Sequence, residues 1–369
     1  MSAPLTTLHY YRGRVALSAI LRGLGVRPGD EAILQAYTCV AVPSPLIQLG
    51  MRPVYADIDR RSLTVDVNCL RQAITRRTRA IVVQHTFGIP ADLSGALALA
   101  REAGIPVIED CAHVLGASLR GQPLGTFGAA AFFSYEWGKP VVAGVGGKAI
   151  VNDPALAHDM RANYGSFAYP PLTREFVMSL QYLAHRAVSQ MGLFWKVRAM
   201  YRKLSTMGLI VGSYDEDPGT SPEYGWRMTR TVRMRLARRE ALARERLEWR
   251  REIAARYRAG FRQLGMAELA AGEDTDAVLM RVPVVVTAKQ RVLELAVQRR
   301  VEMGDWYSTP VHPLTGRELE AVGYRQGSCP NAEWAADYVV TLPVRTDTRL
   351  ADVDRALDLF SDSRVSGHA

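Results

Sequence analysis

In ADLSGALALAREAGIPVIED, residues 91–110, apolar residues recur at helical spacing as far as Gly104, and a short apolar strand, IPVIED, follows at once. A helix that runs straight into a strand is half of the repeat from which parallel sheets with crossover helices are built. The same alternation extends outward. EAILQAY (31–37), RPVYADI (52–58) and RAIVVQH (79–85) read as strands, and VNCLRQAITRR (67–77) reads as a helix between them. Further back, RVALSAILRGLGV (14–26) has helical periodicity, stops at a glycine and is followed by the turn RPGD. The first half therefore predicts an α/β domain with a mostly parallel central sheet.

Beyond residue 165 the rhythm breaks. The run from Glu175 to Gly212 is apolar, Met-rich and basic at helical spacing, and GSYDEDPGTSPEYG (212–225) reads as a loop. A helical insertion at about 165–222 is expected, serving as a lid over the site; a membrane-surface helix is the competing reading. Twelve arginines lie between Arg227 and Arg258, interleaved with Glu240, Glu245, Glu248 and Glu252, while Val232, Leu236, Ala243, Leu247 and Ala254 form an apolar face. That pattern is one long amphipathic helix with ion pairs on its wet side, with no aromatic platform for nucleic acid. VLMRVPVVV, AKQRVLELAVQRR, YVVTLPV and LADVDRALDLF then alternate strand and helix as a small α+β domain. The expected division is 1–226 for the large domain and 227–369 for the long helix and small C-terminal domain.

Composition narrows the class. With 369 residues, 48% apolar and 22% charged, the chain has the make-up of an ordinary globular protein. MSAPLTTLHYYRGR lacks a signal-peptide core and no run has the length of a membrane span, so a cytoplasmic location is expected. Cys39, Cys69, Cys111 and Cys329 are scattered without a C-x-x-C pair, which suggests neither a disulfide framework nor a metal site. The net charge of +9 favours an anionic ligand.

The chemistry gathers at strand ends. Asp110 closes IPVIE, and in open α/β sheets ligands bind beyond the carboxyl ends of the strands. Ser134 closes AAAFF, and Lys139 follows within FFSYEWGKPVVAGVGG (132–147), whose glycines permit close backbone approach. RGRVAL places Gly13 at the start of the first helix, where backbone N–H groups receive phosphate. An anion cradle, a strand-end carboxylate and a Ser-x-x-x-x-Lys together meet the needs of pyridoxal 5′-phosphate.

These residues, with LGMRPVYADID, VIEDCAHVLGA and PNAEWAADYVVTLPV, make the chain resemble the DegT/DnrJ/StrS family of fold-type I, pyridoxal-phosphate-dependent sugar aminotransferases. The resemblance runs from about Gly13 to Phe360. It implies that Lys139 is the Schiff-base lysine, Asp110 the partner of the pyridine nitrogen and His113 the neighbour of the phenolic oxygen. It further implies phosphate binding by Ser134, Gly13 and Arg14, and a substrate or donor carboxylate at Arg227. Pyridoxamine phosphate would be the intermediate form, glutamate the donor, a nucleotide-linked or related keto compound the acceptor, and the assembly a homodimer.

Three departures mark this chain. The family's serine-glycine-threonine at the phosphate turn is Arg12-Gly13-Arg14, its stacking aromatic is Cys39, and its asparagine directed at the partner's phosphate is Gly225. Tyr37 and Arg14 are expected to rebuild the lost contacts. A dehydratase of the same family would carry histidine at Lys139, and a non-catalytic or nucleic-acid-binding relative would not retain Asp110, His113, Ser134 and Lys139 together.

Overall fold

The computed structural model describes residues 6–190, 221–266, 269 and 275–361; the expected insertion's stretch 191–220 lies outside them. Seven strands form the central sheet: β1 (Thr6–Tyr10), β2 (Glu31–Gln35), β3 (Arg52–Ala56), β4 (Thr78–Gln84), β5 (Val107–Asp110), β6 (Ala130–Ser134) and β7 (Gly147–Val151). Their order is β1-β7-β6-β5-β4-β2-β3. Only β7 runs against its neighbours, and the other pairs are parallel. Helices cover both faces, which is why β2 and β4 are buried almost throughout.

The covering helices are α1 (Gly13–Gly23), α2 (Pro43–Gln48), α3 (Val67–Ala73), α4 (Leu93–Ala103) and α5 (Pro154–Tyr164). In α1 every residue from Val15 to Leu21 is buried, so the middle of this helix is enclosed all round and packs between the sheet and α5. By contrast α4 buries one stripe, Leu93, Ala96, Leu99 and Ala100. The Asp92 carboxylate caps its start by accepting from the Gly95 N–H, and Gly104 ends it in the left-handed region.

This topology delivers Gln84, Asp110 and Ser134 to one edge of the sheet, beside the turn that leads from β1 into α1. The turn passes very close to β7. A Cβ on Gly147 would lie 2.1 Å from the Arg12 carbonyl oxygen and 2.6 Å from the Gly13 nitrogen.

Past the sheet come α6 (Leu172–Gln190), α7 (Arg230–Arg244) and α8 (Leu247–Gln263). The inner face of α6 packs on the segment after β6: Tyr182 stacks on Trp137 at 6.4 Å and His185 at 4.6 Å. Its outer face leaves Leu172, Phe176, Leu180 and Leu183 exposed. Among the described residues no helix is long and apolar enough to cross a membrane.

The arginine-rich stretch, expected as one long helix, is broken at Glu245–Arg246 into α7 and α8. The packing changes hands there. Val232, Leu236 and Ala243 lie with Tyr135 and Val145, whereas Ile253, Ala254, Tyr257 and Phe261 lie in a second core. That core is built on β8 (Arg281–Val285), α9 (Lys289–Gln298), β9 (Val339–Pro343) and α10 (Leu350–Phe360), with β8 antiparallel to β9. One straight helix does not serve both cores, and Leu247 turns inward against Gly116 at the break.

Gly147→Ala is therefore expected to lower stability by about 2–3 kcal/mol, through forced movement of the β1–α1 turn. Gly165→Ala, where nothing lies within 4 Å, is the control and should shift it by under ~0.5 kcal/mol. Urea unfolding of the two variants compares them directly, and equal midpoints would contradict the close approach.

Candidate active site

After β6 the chain makes an irregular excursion, residues 135–146, fastened at its base by the Tyr135 N–H donating to Gly146 O and the Ala143 N–H donating to Tyr135 O. Lys139 sits at the turn, half-buried, with Nζ 3.2 Å from His113 Nε2. His113 Nδ1 accepts from the Phe87 N–H at 3.1 Å, so the single proton of a neutral ring belongs on Nε2. The Nε2 proton then points toward Lys139 Nζ. Burial, reinforced by Lys139 and Arg281, holds the His113 imidazole well below its ordinary value, which keeps it neutral.

Asp110 lies buried at the end of β5 and accepts from the Ala112 N–H at 2.9 Å. Burial lifts its carboxyl above the usual range, while Ala112, Lys139 and His85 pull the other way. A cationic ring nitrogen arriving beside it would reverse that shift. Behind it, His85 donates from Nε2 to Glu109 and accepts from the Ala91 N–H, and Glu109 also receives the Gly125, Phe127 and Gly128 N–H groups. Cys111 is adjacent, and the side chains of His85 and Glu109 are engaged in these hydrogen bonds.

Aromatic rings wall the site. Phe87, at φ 56°, lies parallel to the His113 ring with centroids 5.9 Å apart, and Trp306 meets His113 edge-on at 5.6 Å. Trp306 also lies 5.8 Å from Lys139 Nζ, and its ring fills the space beside Gly138, where a Cβ would be 2.7 Å away. From α8 the buried Arg250 donates to Pro140 O and Leu279 O, tying the second core to the Lys139 excursion; burial pushes its pKa down to about 10.

The anion side is built from the β1–α1 turn. Gly13 lets the turn close on Ser134, whose Cβ would be 3.0 Å from a Cβ on that glycine. Arg12 is buried and pairs through Nη1 with Glu136 and through Nε with Glu223 at 2.7 Å. Burial disfavours its charge, but the two carboxylates outweigh this and raise its pKa. Glu136 stands 3.4 Å from the Ser134 hydroxyl. Burial would raise its carboxyl; Arg12, Arg14 and Lys139 together hold it below the usual range.

Thus Lys139, His113, Asp110, Ser134, Gly13 and Arg14 converge as expected from the sequence. Cys39 joins them, its thiol within the field of Lys139, Arg14 and Glu136 and raised by burial. Tyr37 is buried, its ring packed edge-on against Tyr307 at 5.0 Å and Phe87 at 6.2 Å. Arg227 is bridged through its backbone to Tyr10, and its guanidinium lies over the Tyr169 ring at 4.2 Å. Sequence reasoning missed Glu136, Trp306 and Phe87. For Glu136 a signal existed, an acid inside the quoted Lys139 stretch opposite two unexpected arginines; for Trp306 there was none.

The residues present fit the pyridine–aldehyde–phosphate group expected from the sequence. A buried carboxylate with one backbone donor suits a ring nitrogen, an amine-bearing lysine suits the aldehyde, and the Gly13–Ser134 turn suits the phosphate. The profile of the DegT/DnrJ/EryC1/StrS aminotransferase family matches residues 10–191 and 196–361. A UDP-N-acetyl-3-dehydro-alpha-D-glucosamine 3-aminotransferase of Acidithiobacillus ferrooxidans is 39% identical over 42% of this chain and 43% of its own. An L-glutamine:scyllo-inosose aminotransferase of Streptomyces griseus is 39% identical over 42% of this chain and 36% of its own. The aligned stretch thus spans less than half the length of these curated relatives. The solved structure of S. venezuelae DesV superposes with a TM-score of 0.72 at 26% identity, covering 96% of this chain and 83% of that one.

A neutral buried histidine has a measurable consequence. An unfolded histidine takes up a proton near pH 6.5, whereas His113 does so only at much lower pH, so stability is lost as pH falls below 6.5. His113→Gln should flatten that loss by up to about 1.4 kcal/mol per pH unit. Urea unfolding at acid and neutral pH tests this, and parallel profiles for wild type and variant would show that His113 is not held neutral.

Proposed function

The chain belongs to the DegT/DnrJ/EryC1/StrS aminotransferase family, and from that premise and the geometry above we propose that it moves an amino group from an amino acid to the ketone of a sugar or cyclitol. The observation that carries the reading is the placement of Lys139 Nζ 3.2 Å from His113 Nε2, beside the strand-end Asp110. Glutamate as donor, a nucleotide-linked sugar or a cyclitol as acceptor, a homodimer and a cytoplasmic setting complete it. Both acceptor classes occur among the named relatives.

Pyridoxal phosphate, when bound, supplies an electron-accepting ring that stabilises negative charge at the donor's α-carbon. Lys139 would hold it through its amine and, once released, would be the base that removes and redelivers the donor's α-proton. Asp110 keeps a proton on the ring nitrogen as a buried counter-ion. His113 would lie beside the phenolic oxygen, and Ser134, Gly13 and Arg14 would hold the phosphate. Phe87, Trp306 and Tyr307 exclude water from the reacting face. In the second half the same lysine runs the proton transfer backward on the keto acceptor.

Borohydride reduction followed by peptide mapping should label Lys139, and Lys139→Ala should keep binding pyridoxamine phosphate while losing transamination. Label on a different lysine would displace the assignment. Asp110→Asn should fold yet turn over slower by roughly two orders of magnitude or more, because the amide cannot anchor the ring proton. Activity within a few-fold of wild type would remove Asp110 from that role.

A further inference from the structure

We propose that Glu136 is a built-in occupant of the anion cup, a carboxylate that competes with the cofactor's phosphate and keeps the cofactor exchangeable. This rests on reading the Gly13–Ser134 turn as the phosphate site. Glu136 Oε2 stands 3.4 Å from Ser134 Oγ, and the hydroxyl has one proton, which cannot be donated to the carboxylate and to a phosphate oxygen at once. Ser134 and Glu136 are both buried, so little water screens one anion from the other.

Arg12 does not relieve the conflict. Its Nη1 hydrogen-bonds Glu136 and its Nε lies against Glu223 as an ion pair without a hydrogen bond, and Glu223 is itself shared with Arg174 Nη2 at 2.8 Å. The guanidinium is thus committed to carboxylates on two sides, and it fixes Glu136 where the phosphate must settle. The positive side of the cup falls to Arg14 and the first turn of α1. An arriving phosphate displaces Glu136 from Ser134 or tolerates it at close range, and either event subtracts from affinity.

The test is equilibrium dialysis of pyridoxamine phosphate, inorganic phosphate and pyridoxamine against wild type, Glu136→Gln and Glu136→Asp, each checked for folding by circular dichroism. Glu136→Gln should bind both phosphate-bearing ligands at least about tenfold more tightly, because an isosteric neutral group replaces a like charge. Pyridoxamine, lacking the phosphate, should bind unchanged. Glu136→Asp keeps the ion pair with Arg12 but withdraws the carboxylate from Ser134, so a gain of about threefold is expected. It serves as the test where the glutamine variant does not fold. A folded variant that binds phosphate no tighter than wild type overturns the proposal, as does an equal gain for pyridoxamine. Failure of every protein, wild type included, to bind pyridoxamine phosphate would instead remove the cofactor reading, and the proposal with it.

Discussion

Arg12 is the constraint around which the functional edge of the sheet is arranged. A guanidinium taken fully out of water needs close counter-charges or hydrogen-bond acceptors, and removing one charged partner leaves an expensive orphan. Its two partners come from different parts of the chain: Glu136 from the Lys139 excursion, Glu223 from the segment that returns after residue 220. Arg174 of α6 adds a fourth charge. The β1–α1 turn, the Lys139 excursion and the base of α6 are consequently held in register by electrostatics, with Gly147 supplying the room for the turn to settle.

Burial acts on the two titratable groups nearest the lysine in opposite senses. It lifts the Asp110 carboxyl and lowers the His113 imidazole, since a dry pocket disfavours charge of either sign. Such a pocket resists charge until a ligand brings compensation, and pairs of groups driven apart in this way are how one site runs acid and base chemistry together.

Much of this was legible in the sequence because the informative residues sit at the junction of two local patterns. Asp110 and Ser134 each end an apolar strand, and Lys139 lies in a glycine-bounded excursion directly after one. What was hidden depends on partners far away in sequence. Arg12 and Glu136 are 124 positions apart, so neither neighbourhood discloses that one neutralises the other. The break between α7 and α8 was hidden too, because alanine, arginine, leucine and glutamate all favour helix and only the division between two cores demands a bend there. Arg227, one of many clustered arginines, gave no sign that it would lie on Tyr169.

The contact between Gly138 and Trp306 binds the history of two distant positions. Gly138 has φ 79° and the indole edge occupies the place of its missing side chain, so an alanine there would meet both backbone strain and a ring 2.7 Å away. Shrinking Trp306 first would relieve the clash and simultaneously unroof His113 and Lys139. A side chain at position 138 therefore needs a smaller residue at 306 before it, and that smaller residue opens the pocket.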